Sequence, residues 1–437
     1  MKWTRKENLF PFTENNKRYH TLDYFYKKEF HSKIFKVSLN AGFTCPNIDG
    51  TVGTGGCIYC SHLGSGDFAG NEQDDLITQF EQVKNTVCKK WPNSKYIGYF
   101  QAHTNTYADI DTLKEKYESI LKLKDVVGLS IATRADAITE ECLTYLEELS
   151  KRTFLTVELG LQTIHEETSK LINRCHTLEC FEHMVFELRK RNINVVVHIM
   201  NGLPNETKEM MLDTIRYLNK LDINGIKIHM LHVLKNTKLG QLYLENPFPI
   251  LTKEEYVDIV CDQLELLRPD IVIHRITGDP KKEDLISPDW LLKKFDVLNS
   301  IDKELVRRNT YQGFGLSSDN FRKKIISENL RSHDHVYSFD TSLKTLQFLC
   351  LLTPKGVLKT ADDTNIYDLQ NDEKGKLSFI YCNEPKLLCR NNITIWLSLL
   401  NSKGIILIES SHPNKFYKEI GEEIFFLDTY FYIIKKN

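Results

Sequence analysis

The sequence predicts an α/β protein: a parallel barrel or partial barrel of six βα units, followed by a second, smaller α/β domain. Three observations predict it. Short runs rich in β-branched and aromatic residues recur through roughly the first 280 of 437 residues, and such runs favour strands. Amphipathic stretches of helical period separate them. The composition then changes near Gly313, beyond which α and β signals alternate afresh. Strands without polar alternation, divided by helices, indicate a parallel sheet covered on both faces. Six such units suit a barrel or partial barrel, whose chemistry sits at the C-terminal ends of the strands.

In chain order the predicted strands lie over 34–41, YIGYFQA (96–102), VVGLSIAT (126–133), FLTVELGLQT (154–163), NVVVHIMNGL (194–203) and GIKIHMLHVL (225–234). The helical stretches include 75–91, 138–152 and 206–221. A seventh apolar run, DIVIHRITGD (270–279), precedes a long helical stretch over 288–308. The domain boundary is placed at 313/314, giving domains 1–313 and 314–437.

Net charge is −2, so global charge selects neither a nucleic-acid nor a membrane partner, and a polyanion would need a local basic patch. The N-terminus carries no apolar leader core, and no run approaches the roughly 20 apolar residues that span a bilayer. A cytoplasmic protein without a membrane partner is expected. In that compartment the eleven cysteines point to metal binding, catalysis or burial rather than to disulfides.

Three of these cysteines, Cys45, Cys57 and Cys60, share the loop CPNIDGTVGTGGCIYC directly after the first strand. Three thiolates can hold three irons of a [4Fe–4S] cluster and leave the fourth open to a small chelating molecule. Gly50, Gly53, Gly55 and Gly56 let the backbone pass close to such a cluster. The alternative is zinc, with Cys88 or a histidine as fourth ligand, in a non-catalytic scaffold. Structural zinc sites usually show a second paired knuckle, and CHTLEC (175–180) has the wrong spacing for one.

The loop, with Tyr59 just before its last cysteine, resembles the cluster motif of radical S-adenosylmethionine (SAM) enzymes. Its long first gap resembles the branch containing the catalytic subunit of Elongator. Further stretches resemble the bacterial YhcC/YtqA (MnmL-like) type: GSGDFAG (64–70), YFQAHTNTYA (99–108), ATRAD (132–136), ELGLQT (158–163), HIMNGLPNET (198–207), KIHMLHVLKNTKL (227–239) and RITGDPKKEDLISPDW (275–290). The likeness covers residues 1 to about 313. It implies a radical SAM partial (β/α)6 TIM barrel. Cys45, Cys57 and Cys60 would bind a [4Fe–4S] cluster whose open iron chelates SAM. One electron then cleaves SAM to methionine and a 5′-deoxyadenosyl radical, delivered by a reducing partner such as flavodoxin or ferredoxin.

By the same resemblance Tyr59 lies by the adenine, and Gln101, Thr104 and Asn105 stand where relatives carry a glycine-rich turn at the SAM amino group. Glu158 and Gln162, at the end of the fourth strand, are candidates for the ribose and the substrate. Gly202 belongs to the motif lining the adenine. No catalytic residue is assigned. Each has a plainer reading: Glu158 as a structural ion pair, Arg134 and Arg174 as solvated, Gly202 and Pro204 as a turn. His198, His229 and His232 alternate on or near strands, and His229 is the weak choice for the barrel mouth. Cys88, Cys142 and Cys261 read as core.

Beyond the boundary, HDHVYSFDTSLKTL (333–346) reads as a strand ending in an acid, then a helix. It resembles a Rossmann-like class I SAM methyltransferase, in which Asp340 would hold the ribose hydroxyls. GLSSDNF (315–321) resembles an eroded G-x-G loop, keeping Gly315 and Asp319 with Ser317 in place of the second glycine. The helix over 391–404, the strand over 405–413 and the closing run 422–436 follow the order of that fold's second half. The segment is similar to the tRNA wobble-uridine methyltransferases of the MnmM/YtqB type, shortened and degenerate, without the strand that should precede the glycine loop. The pairing implies one pathway: conversion of 5-carboxymethylaminomethyl-uridine to 5-aminomethyl-uridine in tRNA. The alternative is a radical SAM enzyme on a non-tRNA substrate. The basic and aromatic run over 17–33 is a candidate RNA contact or a solvated helix face.

Overall fold

The structure is a computed structural model. It describes residues 8, 10–64, 66, 69–317, 330, 334–339, 349, 357–360, 377–383, 390–410, 422–426 and 429–435. The chain divides into two compact units, Met1–Gly313 and Phe314–Asn437.

The first unit is built on one parallel sheet in the order β1 (Ile34–Leu39), β2 (Lys95–Phe100), β3 (Val126–Thr133), β4 (Phe154–Gln162), β5 (Asn194–Asn201), β6 (Gly225–Met230) and β7 (Val272–Arg275). Crossover helices Leu76–Cys88, Ile110–Leu121, Glu140–Ser150, Leu178–Lys190, Lys208–Leu218 and Lys253–Leu266 join consecutive strands. Each begins on a residue whose side-chain oxygen accepts a backbone N–H of the first turn: Asp75, Asp109, Thr139, Thr177, Thr207 and Thr252. Such caps contribute about 1 kcal/mol each, and they fix where every strand-to-helix loop ends.

Period-two alternation separates the two faces of the arc. Val37 and Leu39, Leu129 and Ile131, Leu155, Val157, Leu159 and Leu161, Val195 and Val197, and Ile226 and Ile228 pack into one core on the helix side. Between them stand Lys36, Ser130, Glu158, His198, Lys227 and His229. The strands do therefore alternate. The runs read as uniformly apolar because the helix-facing residues dominate them, and the inward face surrounds a cavity rather than a packed core.

The seventh apolar run supplies β7 and extends the expected six strands. Among the described residues no ladder joins β7 to β1, so the barrel is an open arc. The outer edge of β7 is covered instead by the N-terminal segment: the Ile273 N–H donates to the His20 carbonyl at 2.7 Å, and Thr21 forms a parallel bridge to Ile273. A covered edge offers no template for foreign strands. The run over 225–234 ends as sheet at Met230. Val233–Leu234 turns away and pairs antiparallel with Leu285–Ser287.

The second unit carries a six-stranded sheet: β8 (Val336–Ser338), β9 (Leu358–Thr360), β10 (Leu377–Cys382), β11 (Leu400–Ser410), β12 (Glu422–Phe426) and β13 (Thr429–Lys435), in the order β9-β8-β10-β11-β13-β12. All pairings are parallel except those of β13, which runs against both neighbours. This is a doubly wound order with a gap. The chain leaves the centre through β8 and β9, returns, and leaves the other way through β10 and β11. The strand that starts such a sheet would lie between β8 and β10, yet Val336, Tyr337 and Ser338 pair directly with Phe379, Ile380 and Tyr381. Trp396, on the helix Arg390–Leu399, is fully buried against the sheet with Leu377, Ile380 and Ile406. The helix expected over 391–404 is shorter, because Leu400 onward is already strand. Asp319 and Asp340 lie outside the described residues.

Close strand approach yields the first prediction. Gly128 of β3 faces Phe154 of β4, and a Cβ there would stand 2.2 Å from the Phe154 carbonyl oxygen. Gly128→Ala is expected to lower stability by about 2–3 kcal/mol in urea titration. An unchanged midpoint would contradict this pairing.

Candidate active site

The tri-cysteine loop leaves β1 and returns at the helix Leu76–Cys88. One buried side chain clamps both ends. Gln79 accepts the Asn40 N–H at 2.9 Å and donates to the carbonyls of Asn40 (2.9 Å), Asn71 (3.0 Å) and Asp74 (2.9 Å). The middle of the loop is tied to the segment after β4. Asn47 donates to the Asn173 carbonyl at 2.6 Å, and Asn173 donates to the carbonyls of Thr54 (3.2 Å) and Gly56 (2.8 Å). The loop packs so closely on itself that a Cβ at Gly53 would stand 2.3 Å from Asn47 Oδ1. Gly56 has φ 71°, where any other residue is strained.

Cys45, Cys57 and Cys60 line one cavity of about 250 Å³ with Tyr59, Gln101, Thr104, Arg134, Glu158, Gln162, Arg174, His198, Lys227, His229 and Arg275. The structure thus brings together most residues singled out in the sequence. Two fall elsewhere. Gly202, with φ 82°, does not line the cavity and packs near Leu251 and Met230. Asn105 lies just behind the lining residue Thr104, its Nδ2 on the Ala132 carbonyl at 2.8 Å and its buried Oδ1 without a hydrogen-bond partner. Glu158 stands in the middle of β4, and only Gln162 ends that strand. Gln162 and His103, both lining, hold left-handed backbones with φ 62° and 60°, a conformation uncommon for non-glycine residues.

The floor of the cavity is a charged network centred on Glu158, which is 1% exposed. Its carboxylate takes Lys36 Nζ at 2.6 Å, Ser130 Oγ at 2.6 Å, His198 Nε2 at 2.7 Å and Lys227 Nζ at 2.5 Å. Burial raises its pKa, but the Lys227 and Lys36 ammoniums and His198 more than offset this and hold it well below the usual range. Burial lowers the lysines, yet Lys36 ends raised by Glu158, while Lys227, repelled by Lys36 and Arg275, falls to about 7. Lys227 also donates to Tyr99 OH at 2.9 Å. Glu158 therefore sits as an ion-pair centre. Lys36, Ser130 and Lys227 were missed in the sequence, and the signal that would have found them is the polar residue at every second strand position.

The residues fit a cluster with SAM. Asn47 Nδ2 approaches Cys57 Sγ at 3.7 Å, and the Cys57 thiol, hydrogen-bonded by Cys60 and facing Arg134, drops to about 6. A readily formed thiolate is what metal ligation requires. Among the described residues no three His, Cys, Asp or Glu side chains gather around a single-ion site. Arg174, expected to be solvated, is 1% exposed. Its Nη1 donates to the carbonyls of Leu161 (2.6 Å) and Thr163 (2.7 Å), while buried Nη2 has no hydrogen bond, with Glu166 at 3.6 Å. Arg174 thus brings a buried guanidinium, held by two carbonyls and the Glu166 charge, to the cavity wall. Cys142 and Cys261 are buried, as expected, and Cys88 meets Tyr96 OH at 3.0 Å.

Two predictions follow from this geometry. In the folded protein Lys227 loses its proton near pH 7, against an ordinary value of 10.5. Between these values the unfolded chain binds more protons, so this group makes stability rise with pH. Lys227→Met should flatten that rise in urea midpoints taken across the interval; a slope equal to wild type would show that Lys227 stays charged. Cys175, exposed beside Arg174, holds φ 64°. Cys175→Gly should stabilise the protein by about 1 kcal/mol, and a lower melting temperature would show that the thiol has a structural role.

Comparison with known proteins accords with the fold. Residues 48–218 match the Radical SAM superfamily and residues 223–307 the Radical_SAM C-terminal domain. YtqA of Bacillus subtilis (strain 168) is 52% identical over 308 residues, 70% of this chain and 96% of YtqA. YhcC of Escherichia coli (strain K12) is 29% identical over 279 residues, 64% of this chain and 89% of YhcC. Elongator complex protein 3 of Saccharomyces cerevisiae is 28% identical over 160 residues, 36% of this chain and 28% of that protein. A relative more than half identical and matched over nearly its whole length, together with a thiol loop at the head of a parallel arc, places the chain in a family: it belongs to the radical SAM superfamily of enzymes.

Proposed function

We propose that this enzyme modifies tRNA at position 5 of the wobble uridine, converting 5-carboxymethylaminomethyl-uridine to 5-aminomethyl-uridine. When bound, a [4Fe–4S] cluster and SAM supply one-electron chemistry strong enough to take hydrogen from an unactivated C–H bond. Losing the carboxymethyl group needs that: with SAM as the net two-electron oxidant, leaving as methionine and 5′-deoxyadenosine, the methylene beside the nitrogen would become an imine, which water splits into the amine and glyoxylate. Cys45, Cys57 and Cys60 would hold the cluster, with Tyr59 and Gln162 beside the cofactor. Arg174, Gln101 and Thr104, all lining the cavity, would face SAM. Glu158, Lys36 and Lys227 hold the cavity floor rigid.

The observation that carries the tRNA reading is the second unit. Its strand order is a doubly wound sheet lacking the strand between β8 and β10, in a segment similar to wobble-uridine methyltransferases. Ligands of such sheets bind where the strand order reverses, and here that place has lost its strand. The segment is a remnant that no longer methylates, joined to an enzyme whose product its intact counterpart would consume. This is support by association of families. The partners implied are tRNA and a one-electron donor such as flavodoxin or ferredoxin. Among the described residues no helix is long and apolar enough to cross a membrane.

One observation favours a second reading, a non-tRNA substrate. The N-terminal basic run is largely neutralised: Lys27 and Lys33 pair with Asp23, and Lys28 pairs with Glu14 at 2.8 Å. A test by mass spectrometry separates the two. In tRNA nucleosides from cells lacking the gene, 5-carboxymethylaminomethyl-uridine should accumulate. Wild type should reverse this and Cys57→Ala should not. An unchanged nucleoside profile would end the tRNA assignment while leaving the radical SAM chemistry in place.

A further inference from the structure

The last strand of the arc carries an irregularity that aims a side chain. Gly225 and Ile226 of β6 pair with Val272 and Ile273 of β7, but Lys227 then pairs with Arg275, so His274 is the extra residue of a bulge. Bulges re-aim side chains and are common beside active sites. In a regular strand Arg275, two residues after Ile273, would share its direction into the helix-side core, where Ile273 packs. The bulge places it opposite Lys227, and both line the cavity. Two cations on neighbouring strands repel.

The surrounding acids do not balance them. Glu158 is shared between Lys36 at 2.6 Å and Lys227 at 2.5 Å. Asp279 is shared between Lys294 at 2.5 Å and Arg275 at 3.5 Å. Two carboxylates thus serve four cations. His229, the next inward residue of β6, has a buried Nε2 without a hydrogen-bond partner. Surplus positive charge on a cavity wall, with Lys227 buried and Arg275 reaching solvent, raises the local concentration of anions.

We propose that Lys227, Arg275 and His229 form an anion subsite that holds a carboxylate of the substrate. The inference rests on the tRNA reading, under which the occupant is the carboxylate of the carboxymethylaminomethyl group. The planar guanidinium of Arg275 suits a carboxylate fork, Lys227 donates a hydrogen bond in either protonation state and gains charge beside an anion, and His229 Nε2 adds a donor in the appropriate tautomer. A phosphate of the anticodon backbone has related chemistry, so the test separates the two sources.

The test uses the full-length enzyme loaded with cluster and SAM, and tRNA carrying either the carboxymethylaminomethyl-uridine or its neutral amide. Wild type should prefer the carboxylate form. Arg275→Gln should raise KM for it at least about tenfold and erase the preference, with SAM affinity unchanged and with partial rescue in Arg275→Lys. Lys227→Met, checked for folding by its melting curve, should act in the same direction. Unchanged KM in Arg275→Gln would overturn the subsite while the tRNA reading stands. Equal weakening of both tRNAs would overturn the carboxylate in favour of a phosphate, and a loss confined to SAM affinity would move Arg275 to the cofactor. Failure of wild type to convert either tRNA would bring down the tRNA reading and the carboxylate assignment together.

Discussion

One buried carboxylate organises the inside of this arc. Glu158 collects Lys36 from β1, Ser130 from β3, His198 from β5 and Lys227 from β6, four strands tied through a single side chain. A parallel barrel ordinarily fills its interior with branched apolar residues. Here the interior stays polar, and its stability depends on every charge finding a partner. Truncating such a centre leaves ammoniums buried without compensation, which costs several kcal/mol. Burial, helped by the neighbouring cations and opposed by Glu158, lowers Lys227 to about 7 and keeps His198 neutral, near 4.

Above this floor, the thiol loop is held by amides. Gln79 bonds both ends of the loop, and the reciprocal contacts of Asn47 and Asn173 hold its middle to the segment carrying Arg174. A loop of this length without secondary structure would otherwise lose much conformational entropy on ordering. Neutral side chains do this without adding charge near three thiols. The arginines supply the field, while the amides supply the shape.

The second unit is a six-stranded sheet, parallel except at one strand. Its sheet keeps the outward winding in both directions and the reversed strand β13. Trp396 and its apolar neighbours bury one face. Among the described residues β8 pairs directly with β10 in regular parallel register, so the backbone groups of both strands are satisfied at the centre of the sheet.

Much of this was legible in the residues. Strand-length apolar runs, Asp and Thr caps and three thiols among glycines act over a few neighbouring positions, so the order of elements, the boundary near Gly313 and the candidate cluster loop can be read locally. Other features depend on strand register, which a linear pattern does not carry. Glu158 becomes an ion-pair centre only because its neighbours on adjacent strands are lysines and a histidine. Arg174 reads as a solvated residue until the chain folds its guanidinium onto the carbonyls after β4. Gly202 reads as a cofactor contact until the turn places it against Leu251. The sequence by itself determined which residues alternate and where helices start, because those preferences are local. Only the tertiary structure decided which charges meet, because one extra residue in β7 turns Arg275 from the core to the cavity.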